Sequence, residues 1–217
     1  MQESSRTYIP AAGNHWSLPL YDPIVKLLGG DAARRALLDS AAIRPGHRIL
    51  DVGCGTGTLV VLLKRLHPDV EVVGFDPDPK ALARARRKAE RASLSIQLDQ
   101  GFSDELPYPD ASIDRVFSTL MFHHLGRNEK EGTLREVRRV LKPGGTFSLL
   151  DFGGPESGEG GFLARMLHSG HLLEDNAEER VLELMGQAGF AGPRKVSQES
   201  MLFGQARINL YQASVVA

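Results

Sequence analysis

Residues 49–60 read ILDVGCGTGTLV, and this stretch limits the folds open to the chain more than any other. An apolar run ends at Val52, three glycines follow on alternate positions (Gly53, Gly55, Gly57), and apolar residues resume until His67 and Pro68. The pattern predicts a strand that enters a glycine loop and leaves directly into a helix. The helix would then turn its N-terminal N–H groups and positive dipole end toward the top of the strand. Glycine there lets main chain approach a ligand closely. The spacing is G-x-G-x-G behind Asp51, not the G-x-G-x-x-G that cradles a dinucleotide pyrophosphate. A carboxylate just ahead of the loop suits a cationic guest better than a pyrophosphate. A tight strand-to-helix turn without a ligand is the plain alternative.

The rest of the chain repeats the alternation of strand and helix. Residues 70–75 form a second apolar run closed by Asp76, and Pro79 opens a helix with Ala81, Leu82, Ala85 and Ala89 on its inner face. The basic residues of that helix, Arg84, Arg86, Arg87, Lys88 and Arg91, read as a solvated face. Strand, glycine loop, helix and second strand make a βαβ unit with a right-handed crossover. A carboxylate at the end of the second strand, as Asp76 is, can accept both hydroxyls of a ribose. A helix with Ala33, Leu37, Leu38 and Ala41 inward precedes this unit. After it come strands over 94–98, 115–125 (RVFSTLMFHHL) and 146–151, a helix ending at LKPGG (141–145), a last helix around Leu184, and two extended runs flanking Gly204 that predict a terminal hairpin.

The chain has 217 residues, enough for one domain, and a net charge of -1 that gives no basic field for nucleic acid. Its one cysteine, Cys54, excludes a disulfide framework and a cysteine-based zinc site, and its place in the loop reads as that of a small packed residue. No cluster of acids and histidines has metal-ligand spacing. The first residues do not resemble a secretion signal, and no apolar run approaches the roughly 20 residues that cross a bilayer. The expectation is a cytoplasmic protein of one domain, without a membrane span.

Taken together, several segments resemble the class I S-adenosylmethionine-dependent methyltransferases, in particular the small-molecule group that includes the quinone-biosynthesis C-methyltransferases. These are the loop at 51–57, Asp76, Leu106-Pro107, Ile113-Asp114-Arg115-Val116 followed by His123-His124, and the LKPGG turn. The resemblance implies a Rossmann-like, doubly wound α/β sheet of seven strands, mostly parallel with an antiparallel C-terminal hairpin and helices on both faces. It implies S-adenosylmethionine as cofactor, S-adenosylhomocysteine as product, and in-line methyl transfer to an O, N or C atom of a small-molecule acceptor. The cofactor residues it implies are Asp51, Gly53, Cys54, Gly55, Gly57, Asp76, Pro77, Phe102, Ser103, Ser118 and Tyr21. Phe102 stands where the family often has an acid facing adenine, which leaves the backbone of Phe102 and Ser103 as the adenine contact; its ring either stacks on the base or packs into the core. For the acceptor the candidates are Trp16, Met121, His124, His168 and His171, with His123 as the base where one is needed. Residues 1–30 would form an arm and cap, 43–152 the cofactor core, 153–175 an acceptor lid, and 176–217 the last helix and hairpin.

Other classes fit less well. A non-catalytic protein that binds the same cofactor would keep the same loop and acid. A nicotinamide oxidoreductase would need the wider glycine spacing, and no Tyr-x-x-x-Lys pair occurs in the chain. The strand end STLMF (118–122) lacks the Pro-Pro motif of amino-directed nucleic-acid methyltransferases, and one cysteine is too few for an arsenite methyltransferase.

Overall fold

A computed structural model describes residues 30–153, 177–201 and 206–216. The elements run α1 (Gly30–Ser40), β1 (Arg48–Val52), α2 (Thr58–Leu66), β2 (Glu71–Asp76), α3 (Pro79–Arg91), β3 (Gln97–Gln100), β4 (Ile113–Thr119), a 3-10 turn (Phe122–His124), α4 (Arg127–Val140), β5 (Leu141–Phe152), α5 (Glu178–Gln187), β6 (Ala191–Met201) and β7 (Ala206–Ser214). Among the described residues the strands form one sheet in the order β3-β2-β1-β4-β5-β7-β6. Neighbours from β3 to β5 are parallel, and β7 runs antiparallel to both β5 and β6. This is the doubly wound sheet with a reversed C-terminal pair that the sequence implies. Among the described residues no helix is long and apolar enough to cross a membrane.

The central strands read as unbroken apolar runs because both of their faces are covered. Successive side chains point to opposite sides. Leu50, Val73, Val116 and Leu149 enter a core shared with α4 and α5, whereas Ile49, Val72, Phe117 and Leu150 enter a second core against α1, α2 and α3. The chain moves outward from β1 through β2 to β3 and then returns to place β4 on the other side of β1. A crevice therefore opens where the connections leaving β1 and β4 diverge, beyond the carboxyl ends of the strands.

Three strands differ from expectation. The fourth was expected over 115–125 and lies at Ile113–Thr119, because the positive φ of Leu120 ends it and Phe122–His124 turn as a 3-10 helix. The third was expected over 94–98 and lies at Gln97–Gln100. The N–H groups of Ala92, Ser93 and Leu94 turn back onto carbonyls of α3, and Ser93 takes a positive φ of 54°. Leu94 thus closes the helix instead of opening the strand. The fifth was expected to start at Thr146, but β5 runs unbroken from Leu141, through the LKPGG segment. Leu141 already pairs with Ile113 of β4, the register then shifts, and Gly144 and Gly145 exchange hydrogen bonds with Val215. The helix does end where the sequence placed its stop. The turn around Gly204 lies outside the described residues.

Gly57, the residue capping α2, has a φ of 78°, and a Cβ there would sit 2.6 Å from the Cβ of Ala85 on α3. Gly57→Ala is expected to destabilise the fold by about 2–4 kcal/mol, the left-handed backbone and the helix–helix clash adding together. Gly46 has the same φ of 78° with nothing within 4 Å of a built Cβ, so Gly46→Ala carries only the backbone cost, about 1–2 kcal/mol. Urea unfolding of the two variants measures the difference. Equal losses would mean that α2 and α3 do not depend on close approach at Gly57.

Candidate active site

The loop after β1 is fixed by the end of β2. Gly53 N–H and Cys54 N–H both donate to the Phe75 carbonyl, at 2.8 and 3.1 Å, and Gly55 N–H donates to Asp76 Oδ2 at 2.8 Å. Asp76 Oδ1 accepts from Asp78 N–H at 2.9 Å, so this carboxylate ties the loop to the start of α3. Cys54 packs on Gly74, where an added Cβ would meet its Sγ at 2.9 Å, and burial pushes its thiol well above the ordinary range. It is a filler in the geometry observed. Lys88 leaves the solvated face expected for α3 and donates to the hydroxyls of Thr56 and Thr58, at 3.0 and 2.9 Å, bracing the loop from the other side. The N-terminus of α2 has no side-chain cap and opens at the same wall.

The opposing lip follows β4. Leu120 has a φ of 52°, which ends the strand, and its N–H donates to the Leu150 carbonyl at 2.8 Å. The 3-10 turn comes next, and its period of three sets Met121 and His124 on one side. Both border the cavity; Phe122 faces the core and is fully buried. His123 points elsewhere. It is 3% exposed, and its Nδ1 lies 2.6 Å from Asp151 Oδ1 while its N–H donates to Asp151 Oδ2 at 3.0 Å. Burial opposes ionisation of Asp151, but the His123 ring and the hydrogen bonds to the carboxylate prevail and hold it below the usual range. Among the described residues the imidazole on the cavity is therefore that of His124, tilted by 40° against the His123 ring with centroids 4.0 Å apart.

Between the lips lies a cavity of about 430 Å³. Gly53, Cys54, Gly55, Asp76, Pro77, Phe102, Ser103, Met121 and His124 border it, all of them expected from the sequence. Gly57, Asp51, Ser118 and His123 do not. Gly57 faces α3, and Asp51 is 3% exposed behind the loop. Ser118, at 1% exposure, points into the sheet packing, so that Thr119 and Leu120 take the wall position expected of it. Trp16, Tyr21, His168 and His171 lie outside the described residues, as do most of the arm at 1–30 and the lid at 153–175. Arg34 and Glu129 border the cavity without having been expected there. Glu129 belongs to the first turn of α4 and accepts the Gly126 N–H through Oε2 at 2.8 Å. Among the described residues no group of three or more His, Cys, Asp or Glu is placed to hold a metal.

S-adenosylmethionine fits this cavity on two grounds. Both carboxylate oxygens of buried Asp51, directly behind the loop, lack a hydrogen-bond partner among the described residues, so a charge there acts on a cationic guest through the loop and not by contact. The loop also forms a cradle that side chains would fill, since a Cβ on Gly53 would lie 2.3 Å from Met121 Cγ.

Burial pushes the Asp51 carboxyl up to about 8, with Arg34 drawing it partly back and Asp76 adding to the rise. Asp76 is raised to about 6, again by burial, against the pull of the Asp78 and Gly55 N–H groups. Both carboxyls hold their protons more tightly folded than unfolded. Their contribution to stability is thus complete below the ordinary value of 3.8 and is lost as pH rises through about 6 and then about 8. From these groups the melting temperature of the ligand-free protein is expected to fall between pH 5 and 9, and Asp51→Asn to flatten the part above about pH 7. Thermal melts across that range test this; an upper limb unchanged in Asp51→Asn would refute the assignment.

A sheet in this order, with a glycine loop after β1 and an acid closing β2, is the fold of the class I methyltransferases. Residues 49–145 match a family model described as a methyltransferase domain. Demethylmenaquinone methyltransferase of Thermus thermophilus is 35% identical over 216 residues, spanning 88% of this chain and 96% of the relative. The enzyme of the same name from Deinococcus radiodurans is 41% identical over 158 residues, 71% of this chain and 64% of its own. Among solved structures, phosphoethanolamine N-methyltransferase 2 of Haemonchus contortus in complex with S-adenosyl-L-methionine shares the fold at a TM-score of 0.83 and 15% identity, covering 100% of this chain and 62% of that one. The chain belongs to the S-adenosylmethionine-dependent methyltransferases, in the quinone-biosynthesis group. It is an enzyme that uses S-adenosylmethionine to methylate a small molecule.

Proposed function

We propose that the acceptor is a demethylmenaquinone-type compound in its reduced, quinol form, and that the methyl group is placed on a ring carbon. The observation that carries this reading is the likeness to the Thermus thermophilus demethylmenaquinone methyltransferase over nearly the whole of both chains. The chemistry of the cavity supports it. Leu120, Met121 and Leu125 offer an apolar wall to a flat ring, and His124 stands among them. The oxidised ring is electron-poor, whereas a quinol ring becomes nucleophilic at carbon once a neighbouring hydroxyl gives up its proton.

When bound, S-adenosylmethionine supplies a methyl group on a positively charged sulfur and leaves as S-adenosylhomocysteine. Everything else falls to the chain's own residues. The backbone of residues 53–55 lies against the cofactor, Asp76 accepts its ribose hydroxyls, and the backbone at Phe102 and Ser103 meets the adenine edge. Asp51, whose carboxyl burial raises to about 8, would answer the positive charge from behind the loop once that charge draws off its proton. His124 takes the proton of a ring hydroxyl, a role that an imidazole within reach of the acceptor can fill as general base. Holding the two reactants aligned and dry contributes most of the acceleration, on the order of 7–11 kcal/mol. We place the enzyme in the cytoplasm, where Cys54 stays reduced.

The deciding assay incubates the protein with S-adenosylmethionine and chemically reduced demethylmenaquinone, and follows both products by mass spectrometry. The expected result is a menaquinol one methylene heavier, formed one-for-one with S-adenosylhomocysteine, and no product from the oxidised quinone. Methylation of a simple phenol or amine with none of the quinol would overturn the reading.

A further inference from the structure

Glu129 borders the cavity on the same lip as His124 and Leu125, and no step of the methyl transfer described above uses it. It stands half-buried in the first turn of α4, where Oε2 accepts the Gly126 N–H at 2.8 Å and fixes the pose of the carboxyl group. This is its one hydrogen bond among the described residues, and it leaves Oε1 able to accept from a guest. An ionised carboxylate accepts hydrogen bonds and donates none, whereas the neighbouring imidazole can do either. That difference bears on the oxidation state of a ring held between them. A hydroquinone and its quinone have nearly the same shape, but oxidation turns each O–H donor into a C=O acceptor. The apolar wall of Leu120, Met121 and Leu125 cannot tell the two apart. A fixed acceptor can. It gains a charge-assisted bond from a quinol hydroxyl, and against a quinone oxygen it sets lone pair facing lone pair.

We infer that Glu129 selects the reduced acceptor at the binding step, by accepting a hydrogen bond from a ring hydroxyl that the oxidised form lacks. The inference rests on the quinol reading of the acceptor and deepens it. The electron-poor ring already makes a quinone unreactive, but a quinone that bound well would still occupy the cavity. Glu129 keeps it out, so that a pool holding both forms does not inhibit the enzyme. It orients the ring and takes no proton.

The test is calorimetric titration into the complex with S-adenosylhomocysteine, where no methyl group can move. One short-chain demethylmenaquinone serves as both ligands, as the quinol under anaerobic conditions and as the quinone. The wild-type protein is expected to bind the quinol about 10- to 100-fold more tightly than the quinone, the worth of one hydrogen bond to a charged group. In Glu129→Gln the side-chain carbonyl still accepts the Gly126 N–H, and an amide N–H donor replaces the second oxygen. The preference should then collapse to within about threefold, the quinol weakening and the quinone tightening, while S-adenosylhomocysteine affinity stays at the wild-type value. Equal wild-type affinity for the two forms would overturn the inference, a comparison that needs no variant. So would a preference that survives in Glu129→Gln. Loss of S-adenosylhomocysteine affinity in the variant would assign Glu129 to the cofactor or to the fold, and overturn it too. A wild-type complex that binds neither form would instead remove the quinol acceptor itself, and the inference with it.

Discussion

Asp76→Ala is expected to weaken S-adenosylhomocysteine binding by about 100-fold or more while the sheet still forms. Two losses combine in this variant. The carboxylate no longer accepts ribose hydroxyls, each such bond to a charged acceptor being worth about 1.5–3 kcal/mol. It also stops holding Gly55 N–H and Asp78 N–H, so the loop loses its tie to α3. Asp76→Asn keeps one carbonyl acceptor in the same place and should lose less. Because burial has raised this carboxyl to about 6, affinity in the wild type should also decline as pH falls from 7 to 5, where a protonated acid no longer accepts at both oxygens. Calorimetry and circular dichroism on the same samples distinguish the outcomes. Wild-type affinity in Asp76→Ala would exclude it as a ligand group, and parallel loss of fold and binding would reduce it to a structural residue.

The second large effect concerns catalysis. His124→Phe is expected to lower kcat toward a quinol acceptor by about 100-fold, the lower end of what a positioned proton acceptor contributes. Affinity for S-adenosylhomocysteine should not change, because His124 lies on the lip formed after β4, opposite the loop after β1. The phenylalanine ring keeps the ring contact with His123 and removes only the imidazole nitrogen atoms. If the histidine takes the hydroxyl proton, the acid limb of the pH–rate profile should vanish along with the rate. An unchanged kcat would show that the acceptor reaches the enzyme already ionised.

The fold was legible because its signals are short-range. The apolar runs along residues 49–52 and 72–75, the glycine loop and the helix stop at Leu141 are each encoded within a few residues, and the family resemblance they carry implied the seven-stranded sheet. The misplaced third strand shows the limit. Leu94 is as apolar as a strand residue should be, but whether it serves a strand or closes a helix depends on the φ of Ser93. His123 and His124 show the same limit at the site. Two identical side chains stand in succession, and only the 3-10 turn decides which one sees the cavity. Arg34 had a readable sign, a cation at a helical spacing otherwise held by Leu37, Leu38 and Ala41. Nothing local separates it from ordinary helix composition, because the cavity it borders is built by other elements. Glu129 left no such sign, since nothing local tells a first-turn acid on a cavity from one in solvent.

The place of β7 bears on how the chain is made. It lies between β5 and β6, so the strand synthesised last among the described elements enters the interior of the sheet and not its edge. Until residues 206–214 have left the ribosome, the flank of β5 from Thr146 to Phe152 stays open, an apolar strand with unpaired main-chain groups. Such an edge pairs readily with other chains. A pause in translation shortly before that point would hold the nascent protein in its most aggregation-prone form, and a chaperone that shields strand edges would matter most there.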